Sequence, residues 1–386
     1  MHGTVKIMLL TRGNYMKKAI AFLLVLLMVC VITLAGCKDA DKIVIRMGDP
    51  HPDRGGGVGF VLDRINEEFK QLHPNVVFEI ESLNDQPYQE KIRIYSVAND
   101  LPDIFKWWTF PARVGPMAEA GMLEKLNKES FARFGYLPGA LEACEYNGIL
   151  YSIPASADFW VIYVNKALFE KAGVALPESW EDIIASVGFF KAQDIIPMIT
   201  NGLDGWPLCI LFDNIVQRIS GDFSLSYDAV ARRNGVKYTD QVFIQAATYL
   251  QNLVRADIFG DRNRNELLIS NYDAARNMFT QERAAMYMMG AWEMGMATNP
   301  GLSQSFRDNL DVIKIPVLRN EKGTADDAMY WFGGNFVVSA DSKNKELAVK
   351  YLEFLAERFS VYCWEAGAGF PAQIITPLET DSDVAK

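Results

Sequence analysis

A chain of 386 residues with 48 acidic against 38 basic side chains carries a formal net charge of −10, and no run of Lys and Arg interrupts that balance. Phosphate binding needs a basic patch, so nucleic acid is excluded as an expected partner. Half of the residues are apolar, which suffices for two domains of ~100–200 residues each.

The first element in chain order is a leader. Lys17 and Lys18 precede an almost purely apolar stretch, residues 19–33, and Leu34-Ala35-Gly36-Cys37 forms a small-residue cleavage site that ends in cysteine. This is the pattern of a bacterial lipobox. Residues 1–36 are expected to be a signal peptide, with Met16 as the true start and Cys37 as the lipidated new N-terminus. An uncleaved anchor is the alternative, because an apolar run of about 18 residues just spans a bilayer. Removing 1–36 deletes Lys6, Arg12, Lys17 and Lys18 and no acids, which takes the net charge from −10 to −14. Beyond the lipidated Cys37 only Cys144, Cys209 and Cys363 then remain, an odd and widely spaced set that argues against a disulfide scaffold or a metal site and reads as buried hydrophobes.

After a short tether, residues 43–47 form an apolar run of strand character. Val58, Val61, Leu62, Ile65, Phe69 and Leu72 recur at spacings of three and four, so a helix follows, and Pro74 stops it. Residues 76–80 read as a second strand, which implies a right-handed crossover. Further elements are a helix over 88–98, a strand over 103–107 and a helix over 111–120 closed by Gly121. Asn147-Gly148 between apolar runs signals a hairpin. Beyond it a second unit begins, with strands over 159–164 and 284–289, and further strands follow over 312–315 and 334–339. Its helices lie over 166–172, 180–191, 209–219 and 241–255, with an amphipathic helix carrying Leu347, Tyr351, Phe354 and Leu355. The class is α/β.

Motifs for catalysis fail on spacing. Gly55, Gly57 and Phe60 miss the dinucleotide fingerprint, leaving residues 54–59 as a flexible turn or a set of backbone amides near a ligand. Asp261, Asn263 and Asn265 open like a calcium loop, but Glu266 and Tyr272 stand at its glycine and glutamate positions, so a solvated polar loop is expected. After the leader only His51 and His73 remain, and no serine sits in a GxSxG elbow. No cofactor, no metal and no enzymatic activity are expected, although a carboxylate pair for glycoside cleavage survives as a rival reading.

The tryptophans carry more information. Of eight, Trp107, Trp108, Trp160, Trp206, Trp292 and Trp331 fall at strand ends or in turn-rich loops. In an open α/β sheet the ligand crevice lies outside the carboxyl ends of the strands. There an indole offers a flat apolar face to the C–H side of a sugar ring, and it also carries one N–H donor. Trp180, by contrast, follows Ser179 in a helix-start pattern and reads as structural.

Seven segments, LPDIFKWW (101–108), EAGMLEKL (119–126), NGILYSIPAS (147–156), IYVNKALFEKAG (162–173), PESWEDI (177–183), RAAMYMMGAW (283–292) and GGNFVVSADSKNKELAVKYLEFL (333–355), occur in the order found in family 1 extracellular solute-binding proteins. The chain resembles that family, whose best-known relatives bind maltose and other sugars. The resemblance implies a type II periplasmic-binding-protein fold, with two lobes, each a central mixed sheet flanked by helices, joined by a hinge. Lobe one is expected over 38–150 and 312–342, and lobe two over 151–311 and 343–386. By the same resemblance the function is the substrate-binding component of an ABC importer that captures a mono- or oligosaccharide between the lobes. Its partners are then membrane permease subunits, and lipid on Cys37 holds a monomer at the outer face of the cell membrane. A non-sugar solute such as a polyamine or peptide is the alternative ligand. Matched to the family, Trp107 and Trp108 fall in the cleft loop, Trp292 on a stacking aromatic, and Asp158 and Trp160 in the segment crossing into lobe two. Trp331 and Asn335 flank the glycine pair, and Asp49 ends the first strand. Relatives continue for some tens of residues past the position of 370–372, whereas this sequence ends at Lys386.

Overall fold

The computed structural model describes residues 42–108, 110–319, 321–324 and 329–375. The expected signal peptide, Met16, Cys37 and the segment 376–386 lie outside the described residues. Among the described residues, no helix is long and apolar enough to cross a membrane.

Twelve strands order the described residues: β1 (Ile43–Asp49), β2 (Val76–Ser82), β3 (Ile104–Lys106), β4 (Glu145–Tyr146), β5 (Ile149–Leu150), β6 (Ser152–Ile153), β7 (Ser156–Asn165), β8 (Ile196–Ile199), β9 (Ala284–Gly290), β10 (Leu310–Lys314), β11 (Tyr330–Gly333) and β12 (Phe336–Val338). Two mixed sheets result. The first has the order β2-β1-β3-β12-β6, with β1 and β3 parallel and β12 antiparallel to both β3 and β6. In the second, of order β10-β7-β9-β8, β7 and β9 are antiparallel, β8 and β9 parallel, and β11 adds to β7. The chain passes between the sheets twice, from β6 to β7 and from β11 back to β12.

By compactness the chain divides into a small unit, Met1–Val44 with Lys70–Val77, and a large unit, Ile45–Phe69 with Phe78–Lys386. Within the small one, Ile43 N donates to Asn75 O at 2.9 Å. The cleft described below belongs to the large one.

Local chemistry explains most elements. The helix Gly57–Leu72 buries Val61, Leu62, Ile65 and Phe69 at the expected three- and four-residue spacings. The helix Trp180–Lys191 begins with a capping box in which Ser179 and Asp182 satisfy each other's backbone donors, and Trp180 beneath it is fully buried. Asn147 (φ 52°) and Gly148 (φ 75°) both adopt the left-handed conformation that a two-residue hairpin turn between β4 and β5 requires. The helix expected from 209 starts at Trp206, because Pro207 suits a first helical turn.

Packing departs from three of the expected lobe assignments. Residues 312–315 were expected in lobe one, but β10 pairs along β7 from Leu310↔Asn165 to Lys314↔Val161, inside the second sheet. A short apolar run fits either sheet, and only the non-local partner decides. The segment from 343 was expected in lobe two, yet the helix Lys345–Glu365 packs on the first sheet's side. The Tyr351 hydroxyl donates to Asn66 at 2.6 Å, its ring meets Phe69 edge-on at 5.2 Å, and Phe359 meets Phe336 at 6.2 Å. Ser152 and Ile153 likewise belong to the first sheet as β6, although lobe two was expected to begin at 151.

Candidate functional site

Loops at the carboxyl ends of β1, β3 and β9 line one cleft of about 900 Å³, the crevice position of an open α/β sheet. From the first sheet come Asp53 and Gly57–Gly59 after β1, Asn84 and Asp85 after β2, and Lys106, Trp108 and Arg113 at and beyond β3. From the second come Trp206, Cys209 and Asp213 on the helix Trp206–Ser220, Tyr272 and Arg276 on the helix Tyr272–Thr280, and Trp292 and Glu293 on the turn that follows β9. At the crossings lie Ser156, Asp158 and Trp331. The Asn84 amide reaches from the first wall to donate to the Asp273 carboxylate on the second.

Four of the six singled-out tryptophans form one cluster. Trp292 meets Trp160 at 5.9 Å, Trp206 at 6.0 Å and Trp331 at 5.8 Å between ring centroids, and Trp160 meets Trp206 at 5.7 Å. Strand periodicity contributes, since Asp158 and Trp160 are two residues apart on β7 and share a face, with Trp331 and Gly290 paired opposite them on β11 and β9. Trp206, Trp292, Trp331 and Trp108 are half-buried and line the cleft. Trp160 is 3% exposed and does not reach the cleft; it is the buried layer on which Trp206 and Trp292 rest.

Three other candidates are corrected in the same way. Trp107 is buried in the first sheet's core, and its indole N–H donates to the Arg113 carbonyl at 3.0 Å, so of the adjacent pair only Trp108 faces the cleft. Asn335 is buried, with its amide on Cys144 Sγ and its carbonyl accepting from Trp107 N at 2.9 Å. Asp49 is wholly buried and accepts from Arg54, Ser82 and the His51 N–H, so it braces the loop after β1 rather than facing solute. The same strand-end positions that made these residues candidates also anchor loops. Among the cysteines, Cys144 and Cys363 are buried as expected, but Cys209 is exposed and lines the cleft.

The bacterial extracellular solute-binding protein model matches residues 60–358. The chain belongs to this family. A multiple sugar-binding protein of Streptococcus mutans is 24% identical over 338 residues, 86% of this chain and 75% of that protein. An ABC transporter extracellular-binding protein of Pyrococcus horikoshii is 26% identical over 64% of this chain, which spans 56% of that relative's length. A solved structure from work on xylan utilization by the thermophilic bacterium Caldanaerobius polysaccharolyticus shares 26% identity with a TM-score of 0.77, covering 89% of this chain and 86% of that one. The fold is the two-lobed type II periplasmic-binding architecture.

In this solute-binding protein the cleft is acidic, with Asp53, Asp85, Asp158, Asp213, Asp273 and Glu293 facing Lys106, Arg113 and Arg276. Burial raises the pKa of Asp158 to about 6, against the opposing pull of Lys106 and a hydrogen bond from Ser156. Burial also raises Asp85, Asp213 and Asp273 and lowers Lys106, His51 and Arg113. Lys106 Nζ lies over the Trp108 ring at 5.2 Å, an ammonium held among carboxylates and an indole face. Acceptors, donors and flat apolar faces thus share one cleft.

Lys106, Asp85, Tyr272, Arg276 and Glu293 were not singled out from sequence. Applying the strand-end rule to β2 finds Asp85, and the four-residue spacing of Tyr272 and Arg276 places both on one helical face. The polar turn at 261–266 closes on itself instead, with Asp261 N donating to Glu266 and Asn263 N to Asp261.

Proposed function

We propose that this chain is the carbohydrate-capturing component of an ABC importer, which binds a sugar or oligosaccharide between its two lobes and hands it to a membrane permease. The observation that carries the reading is the indole cluster, in which Trp206, Trp292 and Trp331 present ring surface to a cleft that also holds the charged or amide side chains of Asn84, Asp85, Lys106, Arg113 and Glu293. Relatives named for sugar binding and for ABC transport support it. Lobe one then comprises β1–β6, β12 and the helix Lys345–Glu365, and lobe two β7–β11. Solute that touches both lobes stabilises the closed state by its differential contacts, and the closed form is the one a permease reads. No reaction is required, so the protein acts as a receptor and not as a glycosidase.

The test is a thermal-shift and tryptophan-fluorescence titration with xylotriose, maltotriose, chitotriose, raffinose, spermidine and a tripeptide. A carbohydrate at 100 times its Kd should stabilise the native state by about 2.7 kcal/mol, should shift the emission saturably because several indoles change surroundings together, and should be recovered unchanged. A response confined to spermidine or the peptide overturns the carbohydrate reading.

Membrane attachment through diacylglycerol on Cys37 belongs to the same proposal, since two acyl chains suffice for stable anchoring and proximity raises the effective concentration at the permease. Cys37→Ala should move the protein from the membrane fraction to the soluble fraction or leave it unprocessed. Unchanged membrane retention with normal N-terminal processing defeats it.

A further inference from the structure

We infer that Tyr272, Glu293 and Arg276 are positioning residues that fix the Trp292 indole as a preset stacking face and withdraw its N–H from the solute. This rests on the carbohydrate reading of the cleft and deepens it. A single directed chain of hydrogen bonds links the four residues. Trp292 Nε1 donates to the Tyr272 hydroxyl at 2.8 Å, that hydroxyl donates to Glu293 Oε1, and Arg276 Nε donates to Glu293 Oε2 at 2.8 Å. The direction is forced. An indole N–H only donates, so the one hydroxyl proton of Tyr272 is committed to Glu293, which is 7% exposed and also accepts from Arg276. Tyr272 therefore turns its lone pair to Trp292 and can only accept there.

The backbone closes the other side. An added Cβ at Gly290 would lie 2.0 Å from the Trp292 ring, so the indole folds back over the end of β9 in a space that only glycine leaves open. Trp160, Trp206 and Trp331 pack around it at centroid distances of 5.9, 6.0 and 5.8 Å. With its N–H consumed, Trp292 recognises solute through its π-face, which selects a pyranose ring that turns C–H bonds toward it. Fixing the plane beforehand removes an ordering cost that binding would otherwise carry.

A double-mutant cycle tests this. Tyr272→Phe, which removes only the hydroxyl, should weaken xylotriose binding about 2- to 10-fold, the effect of one hydrogen bond. In a Trp292→Phe background the same substitution should change the affinity no further. Glu293→Gln serves as a second variant that keeps the volume and loses the charge, and it should behave like Tyr272→Phe. Additive losses in the two backgrounds overturn the inference, because a residue acting elsewhere would be felt with or without the indole. Near-UV circular dichroism of the solute-free protein gives a readout independent of any sugar. The difference between wild type and Trp292→Phe is the Trp292 signal, and Tyr272→Phe should diminish or invert it. If wild type binds none of the four carbohydrates titrated above while this signal responds, the carbohydrate reading is at fault and the positioning stands; if the signal is unmoved, the positioning fails whatever binds.

Discussion

Trp160→Ala should unfold about 3–5 kcal/mol more easily than wild type, the range for truncating a buried tryptophan, while Trp292→Ala should lose binding more than stability. Both side chains belong to one aromatic cluster, and their ring centroids lie 5.9 Å apart. They differ in what covers them. Trp160 is buried on β7 beneath Trp206 and Trp292, so its removal leaves a cavity under the cleft floor. Trp292 is half-buried and lines the cleft. Its truncation should reduce carbohydrate affinity by about 1–3 kcal/mol, by analogy with aromatic stacking on other planar ligands, or about 5- to 150-fold. Urea unfolding and a binding titration on the same two variants decide the matter. Normal binding by Trp292→Ala together with a loss of several kcal/mol in stability would place Trp292 in the core and remove it from the site.

Asp158→Asn should stabilise the protein at pH 7 and leave it nearly unchanged at pH 4. The carboxyl has an ordinary pKa of 3.8 and is raised by burial to about 6, so between these values the folded chain holds a proton that the unfolded chain has released. Stability linked to this group is therefore greatest in acid and falls as the pH rises from about 4 to about 6. Above that range the buried carboxylate costs about 3 kcal/mol, from roughly two pKa units at 1.36 kcal/mol each. The amide avoids that cost. It should also bind solute less well, because hydrogen bonds from sugar hydroxyls to an ionised acceptor are worth about 1.5–3 kcal/mol, more than those to a neutral one. Unfolding measured at pH 4, 5, 6 and 7 should show the gap between variant and wild type widening with pH. A gap that is constant across the series would mean that Asp158 does not titrate in this window.

Where sequence reasoning misplaced residues, the reasons are specific. Trp107 and Trp108 are neighbours with the same chemistry, and one points into the first sheet's core while the other lines the cleft, because adjacent side chains beyond a strand leave in different directions. Asp49 occupies a strand end, which is where ligand-facing residues concentrate, but an ion pair with Arg54 turns it inward. The Tyr272–Glu293–Arg276 chain joins residues up to 21 positions apart, and no local pattern announces it.

The sequence alone determined the periodic elements and their class. The helix and strand spacings, the capping box at Ser179, the hairpin at Asn147-Gly148 and the placement of tryptophans at strand ends are all consequences of interactions within a few residues of chain. The motif order likewise pointed to the family, because it depends on sequence only. Tertiary structure decided which sheet accepts β10, which lobe the helix Lys345–Glu365 covers, and which indoles face the cleft. Those outcomes depend on partners such as β7, Phe69 and Trp331, tens to hundreds of residues away, and on burial that a short apolar run satisfies equally well in more than one place.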